Sequence, residues 1–194
     1  MRTLGYVILG LLARESRTGY DLARAMDRPI GYMWTAGHNQ IYPELAALQS
    51  AGLVRHRVID GPGPRETKRY SITPRGVAAL TDWTDSPLRQ QPARSELMVR
   101  VRNLWLISAE RAHAFVTTVR VDHEAPLATY REEEQGFADE GGHLSDPTSR
   151  EFAAYATLRA GIGYELHMLA WCDWLVAELS AARSTTEPPS DGVK

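Results

Sequence analysis

A single cysteine, Cys172, is all the thiol this 194-residue chain contains. It cannot close a disulfide within the chain, and it rules out a zinc site built on several cysteines. Without a disulfide framework the default compartment is the cytoplasm. Long apolar runs are missing too. A bilayer span needs about 20 apolar residues, and the run Leu4 to Ala13 stops at Arg14-Glu15-Ser16-Arg17. No small-residue cleavage site follows it, so it reads as an amphipathic core helix rather than a secretion signal, and no membrane partner is expected. Catalytic signatures are absent as well: there is no Gly-rich phosphate loop and no nucleophile elbow. His167 and Cys172 stand five residues apart, on different faces of one helix. The run Glu132-Glu133-Glu134 reads as a solvated helix face, not a metal site. The expectation is a protein that is not an enzyme and carries no metal or cofactor.

A strong charge of either sign is also lacking, since the net is −2. That average hides an asymmetry. Residues 1–82 hold 11 Lys/Arg against 7 Asp/Glu, a net of +4, while residues 83–194 hold 11 against 17, a net of −6. Only the first half is suited to a polyanion.

What is present in that half is a sequence of short elements. Leu4, Val7, Ile8, Leu11 and Leu12 recur at helical spacing over about residues 4–13. Thr18 can cap a second helix running through Met26, with Leu22, Ala25 and Met26 on its apolar side. Pro29 and Gly31 end it, and a connection follows with Tyr32 and Trp34. A third helix spans about His38 to Ala51, with Ile41, Leu45 and Leu48 as one buried stripe, Pro43 near its start and Gly52 as its stop. The period then changes to that of strands: Leu53 to Ile59, a Gly/Pro turn from Asp60 to Pro64, and Arg65 to Ile72. Thr73-Pro74 opens a further helix, with Val77, Leu80 and Trp83 on its buried face. Three helices, a two-stranded hairpin and a helix are the layout of a winged helix-turn-helix. The fold class is therefore mainly α, with an N-terminal winged helix-turn-helix whose wing is a β-hairpin, followed by a C-terminal helical dimerisation domain.

Three blocks carry a family resemblance: Ile8-Leu9-Gly10-Leu11-Leu12 with Gly19-Tyr20-Asp21-Leu22; Gln40-Ile41-Tyr42-Pro43-Glu44-Leu45 through Gly52-Leu53-Val54; and Lys68-Arg69-Tyr70-Ser71-Ile72-Thr73-Pro74-Arg75-Gly76. In that order, over about residues 4–80, they resemble PadR-type regulators. Trp34 before the third helix resembles the longer subfamily with a virulence-activator-like C-terminal region. The resemblance implies a regulator, usually a repressor, that binds double-stranded DNA, dimerises through C-terminal helices and often responds to a small molecule. A homodimer would occupy a pseudo-palindromic operator. A winged-helix module that binds protein instead of DNA is the alternative.

The residues that would meet DNA follow from the layout. Gln40 and Asn39 suit adenine edges, and His38 suits a base or a phosphate. Tyr42 and Tyr20 either reach phosphates or pack. Arg65, Lys68 and Arg69 on the wing are candidates for phosphate contact. Lys68 and Arg69 are adjacent, so on a strand they point to opposite faces. His56 and Arg57 have weaker claims.

The other half reads as helices. Residues 85–94 form a Pro-containing linker between a DNA-binding domain, 1–84, and a helical domain, 95–183, with 184–194 as a polar tail. Ser95 caps a helix with Leu97, Met98, Val101, Leu104 and Trp105 on its apolar side, and Ser108 caps another in which Pro126 marks a kink or a restart. Residues 136–147 read as a loop. The last helix, Thr148 to Ala182, carries Phe152, Tyr155, Ile162, Leu166, Leu169, Val176 and Leu179 at helical period. So long a stripe calls for a second subunit, which places Leu97, Val101, Trp105, Ile162, Leu166, Leu169, Val176 and Leu179 at a dimer interface. Trp171 and Trp174 either pack there or wall a pocket for a small aromatic or hydrophobic effector.

Overall fold

The chain was analysed as a computed structural model, which describes residues 1–27, 38–59, 67–88, 95–139 and 144–186. It divides into two compact units, 1–91 and 92–194.

The first unit runs α1 (Thr3–Arg14), β1 (Arg17–Thr18), α2 (Gly19–Asp27), α3 (His38–Ser50), β2 (Val54–Ile59), β3 (Thr67–Ile72) and α4 (Pro74–Asp85). Its core is made by the apolar positions whose spacing predicts the helices. Ile8 and Leu9 of α1, Leu22 and Met26 of α2, and Ile41, Leu45 and Leu48 of α3 are all essentially without solvent contact. Each such side chain contributes about 1.5–3 kcal/mol of burial, so the three helices fix one another.

The expected hairpin is a three-stranded antiparallel sheet in the order β1-β3-β2. In it, Arg17 lies opposite Tyr70 and Thr18 opposite Arg69. The expected polar break at Arg14 to Arg17 thus ends in a strand. Two residues are too few to display a period of two, which is why the sequence pattern hides it.

Two caps lock α3 to α4. Gly52, at φ +69°, follows α3 and lets the chain turn back. Gly52 N–H donates to Gln49 O and Leu53 N–H to Leu48 O, both at 2.9 Å, the two bonds of a Schellman motif. Thr73 then caps α4 by accepting from Gly76 N–H at 3.1 Å, while its own hydroxyl donates to Gly52 O at 2.8 Å. On α4 the expected buried face is rotated. Val77 is exposed, Ala79 and Leu80 pack against the core, and Trp83 stacks on Tyr6 of α1 with ring centroids 4.3 Å apart.

The second unit contains α5 (Glu96–Arg102), a 3-10 turn (Leu104–Leu106), α6 (Ala109–Asp139) and α7 (Arg150–Thr186). Ser95, Ser108 and Ser149 accept from Met98, Arg111 and Phe152 N–H and start the three helices. The helix expected to carry both Leu97 and Trp105 stops earlier, at Arg102. Asn103 leaves the helical region there and turns its side chain back onto Val99 O. α6 runs through Pro126 and on to Asp139, so there is no restart at Pro126, and the expected loop 136–147 begins at least four residues later, with residues 144–147 outside any helix. α7 outlasts its expected end at Ala182 by four residues.

α6 and α7 form an antiparallel hairpin closed by Ala112 and Val116 on one side and Leu158, Ile162, Met168 and Cys172 on the other. Glu165 is buried in the same seam, its Oε2 2.5 Å from His123 Nδ1. Among the described residues no helix is long and apolar enough to cross a membrane.

Candidate nucleic-acid interface

The site begins at the start of α2. Thr18 Oγ1 accepts from Asp21 N–H at 3.1 Å, and Asp21 Oδ2 accepts from Thr18 N–H at 3.0 Å and from its hydroxyl at 2.8 Å. This reciprocal arrangement is a capping box with Asp in the place of Glu. The Thr18 cap was legible in the sequence, and the Thr-x-x-Asp spacing was the signal for its partner. Hydrogen bonding from Thr18 holds the Asp21 carboxyl below its ordinary value, with Arg69 and Arg17 adding to the effect.

α2 and α3 are brought close by Gly19. A Cβ there would lie 2.6 Å from Tyr42 Cε1 and 3.2 Å from its hydroxyl. Glycine therefore lets the Tyr42 ring settle over the start of α2 while leaving it 54% exposed. Tyr20 is 60% exposed beside it. Asn39 and Gln40 are exposed on the first turn of α3. His38 begins α3, but its side chain lies outside the described residues, as does the whole of Arg65. Pro43 is the sixth residue of α3, which starts at His38 as the sequence reading has it. Its missing N–H removes the i to i−4 bond to the Asn39 carbonyl, on the same turn as the Asn39 and Gln40 side chains.

The sheet sorts the basic residues by face. Arg57 lies opposite Arg69, Val58 opposite Lys68, and His56 opposite Tyr70. Tyr70 is buried, and its phenol is pushed up by that burial and by nearby Tyr42. Lys68 shares the face of Tyr70 but is exposed nearer the tip. Arg69 is on the other face and half-buried, with Nη1 donating to Ser16 O at 3.1 Å. It ties β3 to the chain entering β1. His56 Nδ1 lies 2.8 Å from Gln49 Oε1 and links β2 to α3. Neither tether has a signature in residue spacing: Arg69 and Ser16 are 53 residues apart, and Gln49 and His56, though close in sequence, belong to different elements.

The residues expected at a dimer interface lie on the second unit. Leu97, Val101, Leu169, Val176 and Leu179 are half-buried, Leu166 is 42% exposed and Trp105 is 78% exposed. Ile162 is already buried within its own chain. Trp171 is half-buried and Trp174 is 57% exposed. Among the described residues no group of three or more His, Cys, Asp or Glu side chains is placed to hold a metal ion.

A helical trio, an exposed polar start to its third helix and a basic β-wing beside it define a winged helix-turn-helix regulator. The comparisons narrow that class. The transcriptional regulator PadR-like family matches residues 8–82, and the virulence activator alpha C-terminal family matches residues 93–180. The chain is 32% identical over 194 residues to the probable transcriptional regulator Rv1176c of Mycobacterium tuberculosis, covering 93% of this chain and 99% of that one. It is 28% identical over 184 residues to the negative transcriptional regulator PadR of Bacillus subtilis, covering 91% and 97%. The crystal structure of that PadR with operator DNA aligns at a TM-score of 0.79 and 26% identity, covering 92% and 99%. Its complex with p-coumaric acid aligns at 0.71 with the same identity and coverage. The chain belongs to the PadR-like family of transcriptional regulators.

Proposed function

We propose that the protein is a transcriptional repressor that binds a pseudo-palindromic operator as a homodimer and is released by a small aromatic acid. The observation that carries this reading is the first turn of α3. It presents Asn39 and Gln40 to solvent from a helix held on three sides by the core, and it stands in the same unit as the wing with Lys68. Asn and Gln match the paired donor and acceptor of an adenine edge in the major groove. Tyr20, Tyr42 and His38 flank that turn, and with Lys68, Arg69 and Arg65 on the wing they supply contacts to phosphate and sugar that orient the unit. Residues 1–84 thus act as the DNA-binding domain, 85–94 as the linker, 95–183 as the dimerisation domain and 184–194 as a tail.

Dimerisation through Leu97, Val101, Trp105, Leu166, Leu169, Val176 and Leu179 covers apolar surface that a single chain leaves open. Ile162, already covered, serves its own hairpin. Trp171 and Trp174 give the second unit aromatic surface of the kind that holds a planar ligand. The operator-bound and p-coumarate-bound states of the Bacillus subtilis relative support both the repressor assignment and the ligand class. Such a protein works in the cytoplasm, where the chromosome is.

The test is a gel shift of the full chain on the promoter DNA upstream of its own gene, with competitor DNA and a salt series. A discrete, competitor-resistant shift that weakens steeply with salt is expected, because released counterions make affinity salt-dependent. Gln40→Ala should lower affinity for that fragment while sparing random duplex. Diffuse binding at low salt alone, with no site recovered by a genome-wide selection, would overturn the reading in favour of a protein-binding winged helix.

A further inference from the structure

The wing carries cations on both of its faces, Lys68 on one and Arg55, Arg57 and Arg69 on the other. Facing residues of neighbouring strands share a face, and successive residues of one strand alternate. The inner face holds Val54 and Tyr70, both buried, together with Ile72, which packs on the core. Lys68 continues that face toward the tip. The outer face is then fixed by register: Arg55 opposite Ser71, and Arg57 opposite Arg69. No helix of the unit lies between this face and solvent at Arg55 and Arg57, which are both exposed.

Two features of the outer face call for an anion. Arg57 and Arg69 are like charges directly across a strand pair, an arrangement that is destabilising. Neither Arg55 nor Arg57 pairs with a carboxylate among the described residues. Asp21 offsets Arg69 only in part, because its carboxylate is held by Thr18. Arg55 and Arg57 are two residues apart on one strand, a rise of about 6.8 Å. Neighbouring phosphates of one DNA strand step about 3.4 Å along the axis and also turn about it, so their separation is wider than that rise and the two guanidiniums can each meet one of them. Guanidinium forks suit phosphate oxygens in geometry as well as charge.

We propose that the outer face of the sheet, through Arg55 and Arg57, is a second phosphate-binding track, distinct from the row met by Lys68 on the inner face. Arg69 stands beside that track on β3, with one of its nitrogens, Nη1, donating to Ser16 O. The partner is the DNA backbone, and the contact adds affinity without sequence preference. This deepens the DNA-binding reading and rests on it.

The test compares the wild-type chain with the double variant Arg55→Gln/Arg57→Gln, using the operator fragment and a random duplex over a salt series. A charge-matched control removes two exposed arginines from the second unit, Arg100→Gln/Arg102→Gln. Each lost phosphate contact flattens the slope of log K against log salt by about 0.9. Two contacts are removed from each protomer, so for a bound dimer the wing variant should lose about 3.6 from the slope on both duplexes, with affinity down roughly 100-fold or more near physiological salt. Its melting temperature should hold or rise by roughly 1–5 °C as the opposed charges are relieved, so that misfolding does not explain the loss. A wild-type slope in the wing variant, or the same flattening in the control, overturns the proposal and leaves the regulator standing. Failure of the wild-type chain to bind either duplex overturns both.

Discussion

Gly52 is the residue on which the orientation of α3 turns. Its φ of +69° is open to glycine and strained for any side chain by roughly 1–2 kcal/mol. A Cβ there would meet only the end of the Arg75 side chain, at 3.8 Å, so space is not the obstacle. Gly52→Ala should lower stability by about 1–2 kcal/mol in urea denaturation with an unchanged m-value. Gly52→Asn should recover part of the loss, because Asn tolerates the left-handed region. Asp21 is the residue at which pH enters. Its folded pKa lies below the ordinary 3.8, so its contribution is fully present above the unfolded value and is lost as pH falls through the folded one. Asp21→Ala should destabilise the first unit at pH 7, and the gap to wild type should narrow as pH falls below about 3.8 in thermal melts at stepped pH. The pH-dependent part will be small, because a carboxylate this exposed is screened by water.

At the scale of elements, the boundary residues decided what could be read from the sequence. α1 to α4 were legible because Ile41, Leu45 and Leu48, and likewise Leu22 and Met26, each recur at helical period and all meet in one core. The Ser95, Ser108 and Thr73 caps marked starts that the structure uses. β1 was invisible because it owes its existence to pairing with Tyr70 and Arg69, some 50 residues away. The buried stripe of α7 was only half legible. Leu166 keeps an apparent helical period yet points outward, while Glu165, a charge, takes the buried position opposite His123. Polarity patterns cannot announce a carboxylate whose partner sits on another helix. The exposed first turn of α3 was visible as polar residues, but the tethers Arg69 to Ser16 and His56 to Gln49 needed coordinates. Pro126 suggested a kink or a restart, and α6 passes through it without restarting, packed along α7. A proline inside a helix still forfeits one backbone hydrogen bond and crowds the preceding turn. Pro126→Ala should therefore raise stability by about 1–3 kcal/mol, read as a higher melting temperature with unchanged DNA binding. A lower melting temperature would mean that the proline's local geometry is itself used.

For the whole molecule, the two charge signs and the apolar surface of the second unit point to separate tasks for the two halves. In the proposed function the basic first half meets DNA, and the acidic second half, which DNA repels, is the part left to meet another copy. Trp105 is the residue that tests this division. It sits on the 3-10 turn after α5 with 78% of its surface exposed in the single chain, and Met98, Val99 and Leu106 are exposed around it. Removing such a side chain takes little from the fold of one chain, because it is already in water there. In a dimer the same ring would be buried, and aromatic anchors of this kind carry an outsized share of binding energy. Trp105→Ser should therefore leave the helical signal and the melting of dilute protein nearly unchanged, while the mass in light scattering falls from twice 21.6 kDa toward a single chain. Operator affinity should fall by about 100-fold or more, since two half-sites gripped by one linked body gain from effective concentration and two free chains do not. Binding of each chain to random duplex should change far less, because phosphate contacts belong to the first unit alone. If the variant keeps both its dimeric mass and its operator affinity, the interface lies away from α5 and the turn, and Leu166, Leu169, Val176 and Leu179 of α7 become the surface to cut next.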